Sequence, residues 1–184
     1  MKDTREDILT QSFELFYTQG YHGTGISDIL KACKLHKGSL YHIFKSKKEL
    51  ALAVIDERIK KRFDLKFGPI LNSDKAIDEL FAILRDRIDF DFKRGCALNN
   101  FIQEMSNIDE DFKKALENVY LHLQSFYEKA LDALFPQENN QALAQFLLSS
   151  VEGALVASKV SQDSKPYFEI IDQLQTCILT KAKQ

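Results

Sequence analysis

The chain has 184 residues, 45% apolar and 28% charged, with three cysteines, three prolines and no tryptophan. That length and composition leave room for a real core and exclude disorder, a collagen-like repeat and a disulfide scaffold. A formal net charge of −2 argues against a polyanion partner only until the charges are located. Residues 1–62 hold 12 Lys/Arg against 8 Asp/Glu, and the remainder hold 13 against 19. The balance is therefore +4 before residue 63 and −6 after it. Residues 31–48 carry six lysines (Lys31, Lys34, Lys37, Lys45, Lys47, Lys48), two histidines and no acid, the electrostatic footprint of a nucleic-acid partner. A solvated lysine-rich face has the same composition. The opening MKDTREDIL lacks a signal peptide's apolar core, and no apolar run approaches the roughly 20 residues of a membrane span. The expectation is a cytoplasmic protein with no membrane contact.

In chain order, Ile8, Leu9, Ser12, Phe13, Leu15 and Phe16 recur at helical spacing, and Gly20 reads as the C-cap of that helix. Ile26, Ile29, Leu30 and Cys33 predict a short second helix entered through Thr24 and Gly25. A tight connection at 34–36 leads to a third helix over about 37–44, which buries Leu40 and Phe44. Ser46 with Glu49 forms a capping-box pattern, opening a helix that runs to about Phe67, before Gly68-Pro69. Ser73 is expected to cap a helix carrying Ile77, Leu80, Phe81, Leu84 and Ile88 and ending at Lys93-Arg94-Gly95. Leu98, Phe101, Ile102 and Met105 mark the next short helix. Phe112 to Leu134 marks a long one stopped by Pro136, and 139–160 and 166–182 complete the series. No segment alternates as a strand would, so the chain reads as all-α with about nine helices.

Three short helices followed by a long one, with a tight turn between the second and third, describe a helix-turn-helix unit whose third helix enters the DNA major groove. The face of 37–44 opposite Leu40 and Phe44 carries Lys37, Gly38, Tyr41 and His42, with Ser39 near the start. Those groups can meet phosphates and base edges, and Gly38 lets a partner approach the backbone closely.

The stretch Thr24 to Leu50, TGISDILKACKLHKGSLYHIFKSKKEL, resembles the DNA-binding domain of the TetR/AcrR family of transcriptional repressors. Thr24, Ile29, Gly38, Leu40, Tyr41, Phe44, Lys47 and Leu50 stand at the family's pattern positions. The resemblance implies that Tyr41 and Lys47 contact phosphate, that Lys37, Ser39 and His42 face bases or phosphates, and that Ser27 lies close to the DNA; Thr24 and Gly38 complete the expected DNA-binding set. Leu30, His36 and Ile43 depart from the pattern, and Ile43 either removes a phosphate contact or puts an apolar group near a thymine methyl. The implied domains are a DNA-binding domain at 1–46 and an effector-binding and dimerisation domain at 47–184, linked by the helix 47–67. The implied partners are double-stranded DNA bearing a palindromic operator, a second copy of the chain and a small effector.

Three cysteines without a C-x-x-C pair suit a reducing compartment. Cys33 falls on an apolar helix face and reads as structural. Cys96 follows Lys93-Arg94-Gly95 and opens a helix, an arrangement that favours the thiolate. The passage GCALNNFIQEMSNIDEDFKKAL, with Cys96, resembles the effector domain of the electrophile-sensing subgroup that includes the N-ethylmaleimide reductase repressor, and GALVASKVSQ further on places Lys159 at a matching lysine. Cys96 is either such a sensor or merely a small helix-start residue. The other trigger is a noncovalent ligand, for which Phe81, Leu84, Phe101, Met105, Tyr120, Leu123 and Tyr127 could line an apolar cavity, although such stripes are more often plain core. No nucleophile–base pair, metal constellation or phosphate-binding glycine loop is evident, so the expectation is a non-enzyme without metal or cofactor. An activator or an architectural protein of the same fold without an effector is the alternative.

Overall fold

The computed structural model describes residues 4–86 and 91–183. Its helices are α1 (Thr4–Gln19), α2 (Ile26–Cys33), α3 (Lys37–Ile43), α4 (Lys47–Val54), α5 (Lys61–Phe67), α6 (Ala76–Arg85), α7 (Ala97–Met105), α8 (Glu110–Asp132), α9 (Gln141–Ser161) and α10 (Lys165–Lys181). A wider π-type turn over Ile55–Lys60 joins α4 to α5 without a break. Counted as one rod, they leave nine helices and no strand among the described residues.

Two compact units emerge. The first comprises Met1–Arg62 with Ala97–Tyr120, and the second Phe63–Cys96 with Leu121–Gln184. The first unit therefore recruits α7 and the start of α8, bringing two lysines and five acids. Its formal balance falls from +4 to +1.

Local chemistry explains the boundaries in the first unit. Gly20 adopts φ +80 and its N–H donates to the Phe16 carbonyl (2.9 Å), closing α1. The left-handed region favours glycine because it has no Cβ. Lys34 also turns left-handed (φ 56), and the Leu35 N–H donates to Leu30 O (2.9 Å), which ends α2. Ser46 caps α4 by accepting from the Glu49 N–H (3.0 Å), while the Glu49 carboxylate accepts from the Lys45 N–H (2.8 Å). The expected capping box forms, with its return bond shifted by one residue. The core contains Ile8, Leu9, Phe16, Ile29, Leu40, Phe44 and Leu50, all at most 3% exposed. Arg5 pairs bidentately with Glu57 (2.7 and 2.5 Å), and Arg58 pairs with Glu6, so α1 is tied to the π-type segment.

In the second unit, α9 and α10 pack along their lengths around Leu147, Leu148, Val151, Leu155, Ile171, Leu174 and Ile178. Tyr167 is fully buried; its hydroxyl donates to Leu84 O (2.9 Å) and its N–H donates to Ser158 Oγ (3.0 Å). Phe67 packs on Phe126 and Tyr127 (centroids 6.0 Å in each case).

Two expectations need correction. The helix expected to reach Lys93 ends at Arg85, and Ile88 lies outside the described residues. Gly95 (φ +77) is not that helix's cap. It closes a separate turn in which its N–H donates to Asp91 O (2.7 Å) and the Asp91 carboxylate accepts from the Lys93 and Arg94 N–H groups. Second, α9 is long and apolar enough to cross a membrane by length and composition alone. The sequence reading missed it because small and polar residues interrupt every contiguous apolar run. Some of them, Ser149 and Gly153, sit among apolar residues on an exposed stripe, while Ala144, Ala154 and Ser158 lie on the buried side of α9.

Candidate nucleic-acid interface

The site grows from α3. Leu40 and Phe44 point into the core (1% and 3% exposed), which obliges the other face of this short helix to meet solvent. Lys37, Gly38, Ser39, Tyr41 and His42 are all exposed there, and the Lys37 ammonium lies over the Tyr41 ring at 5.8 Å. A Cβ added to Gly38 would meet no atom within 4 Å, so nothing inside the protein requires a glycine at this point. Ser27 is exposed on α2, and Ile43 is half-buried.

Thr24 and Lys47 have different surroundings. Thr24 is fully buried and its hydroxyl donates to Gly20 O (2.8 Å). Lys47 is half-buried, donates to the Thr24 carbonyl (2.7 Å) and covers the Tyr21 ring at 4.2 Å. Both residues hold the turn between α1 and α2. Burial pushes the Lys47 ammonium below the usual lysine range, with the Glu104 charge opposing the shift. Burial likewise raises the Tyr21 hydroxyl, and Asp109 adds to the effect.

Sequence reasoning missed several residues that frame this surface. Glu104 on α7 accepts from the Tyr21 and His22 N–H groups, each at 2.8 Å. Lys48 pairs with Asp109 (2.8 Å) and Asp111 (2.6 Å), which raises Lys48 and lowers Asp109. Phe16 meets Phe101 edge-on (6.4 Å), and Tyr21 meets Phe112 (5.3 Å). An acid on an amphipathic helix reads as solvated, and no local pattern reveals a partner 83 residues away.

The expected effector residues divide between the units. Phe101 and Met105 are core residues of the first, and Tyr120 is half-buried at its end. Tyr127 is buried in the second, with Phe81, Leu84 and Leu123. Cys96 is half-buried, and a Cβ on neighbouring Gly95 would lie 3.5 Å from the Lys159 side chain. Burial pushes the Tyr167 hydroxyl far above its ordinary value, negative charge at Glu152 and Cys96 adds to that rise, and Arg85 opposes it. Among the described residues no group of three His, Cys, Asp or Glu is placed to hold a metal ion.

A short helix with an apolar inner face and a basic, aromatic outer face, steadied by two helices before it, defines a helix-turn-helix DNA-binding protein. Residues 8–54 match the tetR family of bacterial regulatory proteins, and residues 69–173 match the C-terminal domain of LmrA/YxaF-like transcriptional regulators. An HTH-type transcriptional regulator in the lacX 3′ region of Lactococcus lactis is 34% identical over 186 residues, covering 96% of this chain and 93% of the relative. The Escherichia coli (strain K12) HTH-type transcriptional repressor NemR is 25% identical, covering 98% and 96%. The crystal structure of E. coli NemR in its reduced form has the same fold, with a TM-score of 0.83 at 24% identity over 95% of this chain and 97% of that one. The chain belongs to the tetR family of DNA-binding transcriptional regulators.

Proposed function

We propose that this regulator is a repressor that binds as a homodimer to a palindromic operator and leaves it when a small apolar or electrophilic effector acts. One observation carries the reading: Lys37, Gly38, Ser39, Tyr41 and His42 are exposed on α3 while Leu40 anchors the helix from within. In this reading Lys37, Tyr41 and the Lys47 ammonium meet phosphates. Ser39, His42 and Ser27 meet base edges or phosphates, and Thr24 positions the turn behind them. No cofactor or metal enters, and the working compartment is the cytoplasm, where the DNA is.

A recognition helix of seven residues spans few base pairs, so two copies related by a two-fold axis are needed for useful affinity. The exposed stripe Phe146, Ser149, Gly153, Val156 and Val160 on α9 supports this assembly. Phe146, Val156 and Val160 are 50%, 49% and 81% exposed, and the alternating steps of three and four keep the stripe on one face. The test is selection of bound sequences from a randomised duplex pool, with the mass of the complex measured in solution. A palindrome bound by a dimer supports the proposal, and a monomer binding without sequence preference refutes it. In a promoter–reporter fusion, the same duplex placed at the promoter should lower expression; a rise would mean activation.

Cys96 as the trigger is favoured by its place immediately before α7 and by Lys159 beside Gly95. Aldehydes or quinones should release the wild-type dimer from DNA and leave Cys96→Ser bound. Equal release of both would assign Cys96 a packing role and leave a noncovalent ligand as effector.

A further inference from the structure

The turn from Gly20 to Thr24 decides where α2, and therefore α3, begins. Past the end of α1 the Tyr21 and His22 N–H groups have lost their helical acceptors. Both point to one carboxylate: Tyr21 N–H donates to Glu104 Oε2 and His22 N–H to Glu104 Oε1, each at 2.8 Å. The space for that carboxylate exists because residue 20 is glycine, since a Cβ there would lie 2.9 Å from both Glu104 oxygens. On its other side the turn is held by Lys47, through the Thr24 carbonyl (2.7 Å) and the Tyr21 ring (4.2 Å). The turn is thus gripped by an anion from α7 and a cation from α4. All of these contacts lie within the first compact unit.

A half-buried carboxylate adds little apolar burial to the fold, but two directional, charge-assisted bonds fix an orientation. A binding surface works only when supporting contacts hold it to within about half an ångström. We infer that Glu104, a residue outside the helix-turn-helix segment, is a positioning residue for operator recognition, acting through the Gly20–Thr24 turn to set the pose of α2 and α3. The inference rests on α3 being the reading helix. Electrostatics alone opposes the expected result, because removing a negative charge near DNA strengthens binding to a polyanion. A loss of affinity on neutralising Glu104 therefore reports geometry.

The experiment uses the full-length protein and a duplex enriched by the wild type from a randomised pool, with a scrambled duplex as reference. Glu104→Gln should weaken binding to the enriched duplex roughly tenfold or more, the equivalent of charge-assisted bonds reduced to a weaker neutral contact. Binding to the scrambled duplex should stay unchanged or tighten. Amide exchange at Tyr21 and His22 should quicken, while the dimer mass is retained. Gly20→Ala, which displaces the carboxylate from the other side, should give the same DNA signature together with a lower melting temperature from strain at φ +80. Glu104→Gln binding the enriched duplex as tightly as wild type, or exchanging those two amides no faster, overturns the inference. Failure of the wild type to enrich any duplex overturns the reading of α3 beneath it.

Discussion

The outer face of α3 and the surroundings of Tyr167 spend their polar groups in opposite ways. On α3, Lys37, Ser39, Tyr41 and His42 face solvent, while Leu40, and Phe44 at the helix's C-cap, commit to the interior and Ile43 is half-buried. Around Tyr167 the polar atoms are turned inward: the hydroxyl meets Leu84 O, the N–H meets Ser158 Oγ, and the Phe92 and Phe168 rings close at 5.3 and 5.2 Å. A surface with uncommitted donors suits a large, hydrated polyanion that brings its own acceptors. An enclosed network holds one arrangement and makes each of its members expensive to remove. Substitutions on α3 should therefore change binding more than stability, and those near Tyr167 should do the reverse.

The largest expected effect breaks the link between α3's two faces. Leu40→Ala should cost about 2–5 kcal/mol of unfolding free energy, measured by urea denaturation, with operator binding lost as α3 comes away from the core. A loss below that range would mean that α3 is anchored by something other than Leu40. Next, Tyr167→Phe should destabilise by about 1–3 kcal/mol, because it leaves the buried Leu84 carbonyl without its donor. Its affinity for DNA per folded dimer should not change, and a large change there would undo the contrast. Lys37→Ala should leave the melting temperature alone, weaken binding to all sequences similarly, and reduce the log–log salt slope by about 1 per protomer.

The smallest effect concerns acid. The Arg5 guanidinium holds the Glu57 carboxyl below the usual glutamate range. A lowered folded value contributes stability above the unfolded value and loses it as pH falls through the folded one. The pair is partly buried at the edge of solvent, so Arg5→Ala should cost about 1 kcal/mol at neutral pH, and the ion-pair share of that cost should vanish well below the usual glutamate range. Thermal melts of the two proteins at several pH values check this convergence.

What could be read in the sequence follows the range of the interactions. The Gly20 cap, the Ser46–Glu49 cap and the inward side of α3 are decided by residues within a few positions, so periodicity and capping chemistry reveal them. The end of α6 was misjudged because apolar spacing continues to Ile88 and a basic pair before Gly95 looks like a helix terminus. The Asp91 turn that actually employs Gly95 competes with that pattern. Glu104, Asp109 and Asp111 carried no signal, because each acts on a residue far away in sequence. The charge split also proved coarser than the fold. The basic balance of residues 1–62 is partly neutralised within its own unit by Glu104 of α7, by Asp109 just before α8 and by Asp111 of α8, which hold the Tyr21–His22 turn and Lys48.

The measurement that tests the central claim most directly is Gly38→Ala, assayed for melting temperature and for affinity to the enriched duplex. Gly38 has a negative φ and open space beyond it, so alanine should fold as well as glycine or gain about 0.4–1 kcal/mol. If α3 reads DNA at close range, specific affinity should nonetheless fall roughly tenfold or more as the new methyl group meets the duplex. Unchanged affinity in a dimer of equal or greater stability would contradict the assignment of this face as the DNA-reading surface.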